Sequence, residues 1–178
     1  QLLRSHGITR EKEKMAYTPD GPWYYEQIAL GFNYRMTDIQ AALGLSQMER
    51  VDFFVSARHA LASRYEALLG KLPLSLPWDE PQSYSALHLY VIRLDLDEIN
   101  KTHLQVFEEL RKSGIGINLH YMPVYHQPYY QNMGFKNGYC PNAEQYYQEA
   151  ISLPIFPGLA NEDQDKVFAA LDFVTASS

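Results

Sequence analysis

The chain has 178 residues, room for one domain or one domain with an appendage. A hydrophobic fraction of 46% with only 20% charged residues excludes a disordered chain. Fifteen Lys and Arg against twenty-one Asp and Glu leave a net charge of -6, which argues against a phosphate-binding surface for nucleic acid. No apolar run approaches the ~20 residues of a helical membrane span. The single cysteine, Cys140, excludes an internal disulfide framework and fits a reducing, cytoplasmic setting. The start, Gln1-Leu2-Leu3-Arg4, has no initiator Met and no basic-then-apolar leader; it reads like the middle of a helix, so the expectation is a piece of something longer. Fourteen Tyr, many clustered in residues 121–147, point to pockets or interfaces, because the ring is apolar and its tip polar.

In chain order, residues 1–36 read as polar and loop-like. Glu11-Lys12-Glu13-Lys14 is a solvated charge run, and Thr18-Pro19-Asp20-Gly21-Pro22 is a turn cluster. Residues 23–30 suit a short strand or an extended segment. Thr37 then opens a helical stretch reaching Gly70, with the Thr37/Gln40 spacing of a capping box and Asp38 in the first turn. Its length predicts one long helix, kinked or split in two, or a bridge between domains. Residues 73–85 hold three prolines and read as a loop. The pattern then predicts a strand over 86–94, a helix over 102–112, a second strand over 115–121 and an aromatic loop over 122–140. A helix over 141–151, an extended piece over 152–158 and a final helix over 161–174, capped by Asn161, complete the chain. This order predicts an α+β fold: a small sheet flanked by helices behind a long linking helix. The expected divisions are 1–36, the linking helix 37–70 and a small domain 71–178.

Gly-rich phosphate loops, zinc-type Cys/His spacings, nucleophile elbows and HExxH motifs are absent from the sequence. Cys140 reads as an incidental thiol, and His88, in a strand, and His103, opening a helix, read as structural. Two clusters remain. Gly31-Phe32-Asn33-Tyr34-Arg35-Met36 sets an amide, a phenol and a guanidinium before a helix N-terminus, a natural place for an anion; the alternative is a loop whose Asn and Arg satisfy backbone carbonyls. Asn118 to Tyr130 concentrates rings and amides after a strand end, as a polar ligand pocket for a sugar or as an aromatic interface loop.

Leu3-Arg4-Ser5-His6-Gly7 and Leu30-Gly31-Phe32-Asn33-Tyr34-Arg35-Met36-Thr37-Asp38-Ile39-Gln40-Ala41-Ala42-Leu43-Gly44 strongly resemble the DegT/DnrJ/EryC1/StrS family of sugar aminotransferases. Gly114-Ile115-Gly116-Ile117-Asn118-Leu119-His120-Tyr121-Met122-Pro123-Val124-Tyr125 is similar to the family's small-domain strand and loop. Gln127-Pro128-Tyr129-Tyr130, Cys140-Pro141-Asn142-Ala143-Glu144 and the stretch from Ala150 to Leu159 match too. Within the family the combination looks most like the branch that makes UDP-4-amino-4,6-dideoxy-N-acetyl-β-L-altrosamine for pseudaminic acid.

The resemblance implies a fold type I enzyme (an α/β parent), dependent on pyridoxal phosphate (PLP) and working as a homodimer. Such enzymes pass the amino group of glutamate to C4 of a nucleotide-linked keto-sugar. It also implies that the PLP lysine, the aspartate at the pyridine nitrogen and the stacking ring lie before the Leu3-Arg4-Ser5-His6-Gly7 motif. Lys12, Lys14, Lys71, Lys101, Lys112, Lys136 and Lys166 match none of those motifs. No catalytic residue is therefore expected in this chain, which should be a C-terminal part, inactive and free of PLP when alone. Carried over by position, Asn33 reaches the PLP phosphate across the dimer, with Tyr34 and Arg35 flanking it. Asn118, Leu119, His120 and Tyr121 approach the nucleotide-sugar. The competing expectations are a stand-alone nucleotide-sugar-binding or dimerising module, and a PLP-dependent dehydratase relative in which histidine replaces the lysine.

Overall fold

The computed structural model describes residues 1–78 and 80–176. Its internal contacts divide the chain into two units, Gln1–Arg50 and Val51–Ser178.

In the first unit, strand β1 (Ile8–Thr9) pairs antiparallel with β2 (Glu26–Gln27), Ile8 opposite Gln27 and Thr9 opposite Glu26. Gly7 precedes β1 at φ +71°, and a β-carbon there would lie 1.7 Å from the Ala29 carbonyl oxygen. Only glycine allows the two backbones to come this close. Glu26 is buried and organises the long connection between the strands. Its Oε2 accepts from the Ala16 amide at 2.7 Å; its Oε1 accepts from the Tyr17 amide at 2.9 Å and from the Tyr24 hydroxyl at 3.0 Å. Helix α1 (Asp38–Met48) begins with a complete capping box: the Gln40 amide donates to Thr37 Oγ1 and the Thr37 amide to Gln40 Oε1. No residue of α1 is buried, and Ile39, Leu43, Leu45 and Met48 are all exposed.

The second unit carries helix α2 (Val51–Leu69), strands β3 (Leu74–Ser75) and β4 (Tyr90–Leu94), and helix α3 (His103–Lys112). After it come the short helix α4 (Pro128–Gln131), helix α5 (Pro141–Glu149), strand β5 (Ala150–Leu153) and helix α6 (Asn161–Thr175). The three strands form one antiparallel sheet in the order β3-β4-β5. β4 alternates as a sheet strand with one core face should: Tyr90, Ile92 and Leu94 are buried, Val91 and Arg93 half-buried. Leu61, Tyr65 and Leu69 of α2, Val106 and Leu110 of α3, and Val167, Leu171 and Val174 of α6 join the same core. Their spacing of three, four and seven is the helical period seen from one side. On the other face Arg93 donates through Nε (2.9 Å) and Nη2 (2.6 Å) to Glu149 Oε2 on α5. β5 is buried along its whole length. Tyr65 is enclosed, its hydroxyl donating to the Pro154 carbonyl at 3.0 Å, and burial pushes its phenol up to about 12.

Several boundaries differ from the sequence expectation, each for a local reason. The helical stretch of 37–70 takes one of its expected forms, two helices, α1 and α2, divided at Glu49 and Arg50. The expected strand 86–94 starts only at Tyr90, because Leu87 sits at φ +47° with its amide donating to Ser85 Oγ; His88 therefore lies outside the strand. The expected strand 115–121 forms a single bridge, Asn118 to Ser152. The Ile115 amide donates to the Leu110 carbonyl, closing α3, and the Ile117 amide to the Ile115 carbonyl, so neither is left for a ladder. The expected helix 141–151 ends at Glu149, since Ala150 and Ile151 pair with Arg93 and Ile92. In 73–85, read as loop, Leu74–Ser75 pair with β4, while Asp79 lies outside the described residues. Residues 23–30 contribute only the two residues of β2, and α6 is preceded by Ala160 at the cap position rather than capped by Asn161.

Two outcomes follow from these contacts. Ile92→Ala empties a fully enclosed site on the central strand and should cost about 2–5 kcal/mol, read as a lower denaturation midpoint at unchanged m-value. The three donors, the Ala16 amide foremost, hold the Glu26 carboxyl below its ordinary value of 4.5. A depressed folded value means that the carboxylate's stabilisation is complete above 4.5 and disappears as pH falls through that lower value. Amide exchange of residues 16–24, corrected for intrinsic rate, should therefore accelerate in the native protein only as pH falls below the ordinary carboxylate value, whereas in Glu26→Gln it should already be fast at pH 7.

Candidate functional site

The first cluster hangs on the edge of the N-terminal strand pair. Asn33 is bridged to Ser5, the Tyr34 amide donates to the Arg4 carbonyl at 2.9 Å, and the His6 amide donates to the Phe32 carbonyl at 2.9 Å. Gly31 fits against this turn, for a β-carbon there would stand 2.3 Å from the Gly7 amide. The backbone of 31–34 is thereby fixed while its side chains face outward. Arg35 Nε donates to Asn33 Oδ1 at 3.0 Å, so the sequence alternative in which both satisfy backbone carbonyls is not what forms. The pairing uses the amide's acceptor and leaves Asn33 Nδ2 and the rest of the guanidinium as donors. Phe32 and Tyr34 stack at 5.0 Å beside them. These remaining donors, just ahead of the capped N-terminus of α1, suit a phosphate, whose ionised oxygens accept. The donor set thus fits the phosphate of PLP.

The second cluster belongs to the other unit. Asn118 exchanges both backbone hydrogen bonds with Ser152 (3.2 and 2.8 Å), and its Oδ1 accepts from the Leu119 amide at 2.8 Å. His120 Nδ1 lies 2.7 Å from Ser152 Oγ, so one β5 residue fixes both backbone and side chain of this segment. Tyr121 is exposed, its ring edge-on to His120 at 4.7 Å, and a cis peptide bond joins the two. Leu119 turns the other way, into a cleft of about 590 Å³ shared with His103, Phe107 and Tyr147. His103 Nε2 lies 3.0 Å from the Ala150 carbonyl oxygen, which ties the start of α3 to β5. Asn118, His120 and Tyr121 are thus brought together, with Leu119 on the opposite side. The pair Asn33–Arg35 and this group lie in different units, and each stands as described.

Sequence reasoning quoted Glu144 within a motif and gave it no role. In the structure its Oε1 accepts from the Gly138 amide (2.6 Å), the Tyr125 hydroxyl (2.8 Å) and His126 Nε2 (3.0 Å). The Gly138 amide first, then His126 and Tyr125, hold its carboxyl below the usual range; burial, with Glu144 next, pushes the Tyr125 phenol up. The Tyr125 hydroxyl also accepts from the Cys140 amide at 3.2 Å and lies 3.1 Å from the Cys140 carbonyl oxygen. Edge-on ring contacts continue from Tyr125 through Tyr139 and Phe135 to Tyr130. No spacing rule would have revealed the hub, because its donors come from six to nineteen residues away. Cys140 is exposed at the start of α5. Among the described residues there is no cluster of His, Cys, Asp or Glu able to hold a metal, and no helix long and apolar enough to cross a membrane.

SpsC of Bacillus subtilis (strain 168), a spore coat polysaccharide biosynthesis protein, is 34% identical over 174 residues, covering 96% of this chain and 44% of SpsC. A Streptococcus pneumoniae protein described as a sugar aminotransferase, Spr1654, superposes with a TM-score of 0.84 at 27% identity over 98% of this chain and 42% of its own. It has also been solved in PLP and PMP forms. PseC of Helicobacter pylori, an aminotransferase of pseudaminic acid biosynthesis, superposes with a TM-score of 0.82 at 27% identity, over 98% of this chain and 44% of PseC. The chain spans less than half the length of the curated relatives it matches. The profile of one family matches residues 1–172, and the chain belongs to that family, the DegT/DnrJ/EryC1/StrS aminotransferases.

Proposed function

We propose that this chain is the C-terminal part of a cytoplasmic, PLP-dependent nucleotide-sugar aminotransferase, which moves the amino group of glutamate to C4 of a UDP-linked 4-keto-6-deoxy sugar. The observation that carries the reading is the outward donor pair Asn33–Arg35, fixed by the Ser5 bridge in a chain whose family is known. In this reading the two side chains hold the phosphate of PLP, with Tyr34 shaping the same surface. PLP, when bound, supplies an electron sink for breaking a bond at the carbon bearing nitrogen. Asn118, His120 and Tyr121 orient the sugar nucleotide. His120, braced by Ser152, offers its second ring nitrogen to a hydroxyl or phosphate oxygen, and Tyr121 offers a ring face.

In this reading the PLP lysine is supplied by a separate segment, and transfer requires both parts. The exposed apolar residues of α1, with Leu30, Phe32 and Met36, support pairing with a second copy or with the preceding half. The finer reading, the branch making UDP-4-amino-4,6-dideoxy-N-acetyl-β-L-altrosamine, has its support in the likeness to PseC. A second reading, a nucleotide-sugar-binding module without catalysis, is favoured by the completeness of the 118–121 anchoring within Val51–Ser178.

Titration of the purified chain with PLP, borohydride reduction and intact-mass measurement test the proposal. The expected result is no stoichiometric adduct alone, and one adduct with amino transfer from glutamate once a segment bearing the lysine is co-expressed. A single stoichiometric adduct on one mapped lysine of this chain overturns the fragment reading. Sugar-nucleotide binding without restored transfer favours the module.

A further inference from the structure

The segment following the second cluster is held at two points on one continuous piece of chain. At its start, Ser152 of β5 takes the Asn118 backbone and the His120 ring. At its end, Glu144 of α5 takes Tyr125 and His126. Residues 121–124 lie between these anchors; Tyr121 and Val124 face solvent, while Pro123 is buried and its carbonyl accepts from the His126 amide at 2.9 Å. The third donor to Glu144, the Gly138 amide, comes from the far end of the aromatic loop. The Glu144 carboxylate, together with the contacts between Tyr125 and Cys140, therefore closes the aromatic loop, and it anchors the chain four residues after Tyr121.

We propose that Glu144 is a positioning residue, which fixes Tyr121 and the aromatic loop in the pose that receives a sugar nucleotide. The proposal rests on the reading of 118–121 as the sugar-nucleotide segment. Its physical basis is preorganisation: a span anchored at both ends gives up its conformational freedom on folding rather than on binding. The hub is charge-assisted, since all three donors meet one ionised oxygen. An amide at this position keeps one acceptor oxygen in place; an alanine keeps none.

The test compares the native chain with Glu144→Ala, Glu144→Gln and Tyr125→Phe. The readouts are amide exchange by mass spectrometry, thermal unfolding, and saturation-transfer NMR with UDP-N-acetylglucosamine as the probe. In Glu144→Ala, exchange over 122–140 should rise about tenfold, while the core midpoint stays within a few degrees. Its saturation transfer should fall about fivefold. Glu144→Gln should recover most of both losses, and Tyr125→Phe should fall between.

Unchanged protection of 122–140 in Glu144→Ala overturns the clamp. Protection lost from α5 instead of the loop also overturns it, because Glu144 would then only support its own helix. Lost clamping with undiminished saturation transfer reduces Glu144 to a structural role and overturns the positioning proposal. No saturation transfer in the native chain overturns the assignment of 118–121 to the sugar nucleotide, while the exchange data still decide the clamp.

Discussion

The antiparallel pairing of β4 with β5 is the constraint on which the second unit depends. It places Ile92 opposite Ile151 at the centre of the sheet, with α2, α3 and α6 over one face. It also leaves the far edge of β5 free to take up Asn118 through Ser152. A residue in the sheet thus presents its backbone to one neighbour and its hydroxyl to His120. The candidate sugar-nucleotide segment inherits its order from the core, though it belongs to no strand. Rigid elements commonly hold functional loops in this way, because precision comes from the packed layer behind them.

The first unit solves a similar problem with almost no core. Its two-residue strands are too short to be stable by pairing alone. Close backbone packing at Gly7 and Gly31, and the three donors on Glu26, do what a larger apolar core does elsewhere. The result is a firm backbone beneath outward-facing Asn33, Tyr34 and Arg35. Its apolar surface, from Leu30 through Met48, is left uncovered within the unit.

The sequence revealed helices better than strands. Thr37 and Gln40 announce α1 because capping is local chemistry, and the apolar spacing of α3 and α6 reads directly as a buried stripe. Strand limits were hidden, since they depend on which backbone donors remain after turns have taken theirs. Ile115 and Ile117 alternate like strand residues, yet their amides are spent before β5 is reached. Ala150 and Ile151 suit a helix or a strand equally, and only their partners on β4 decide. The candidate site divides in the same way. Asn33 and Arg35 are two positions apart and could be seen as a cluster, whereas Glu144 is joined to Tyr125, His126 and Gly138 solely by the fold.

Helix α5 passes into β5 at Glu149–Ala150 with no residue between them. The junction has no slack, so the two anchors of the segment are geared together. One residue inserted into the last turn of α5 would swing Glu144 by about 100° relative to the strand. One residue slipped in β5 would turn Ser152 to the opposite face. Glu144 and Ser152 therefore behave as marks on a ruler: their separation in sequence is as much a part of the site as their identities. A change of that interval by one residue would carry the two anchors out of step and the segment between them with it.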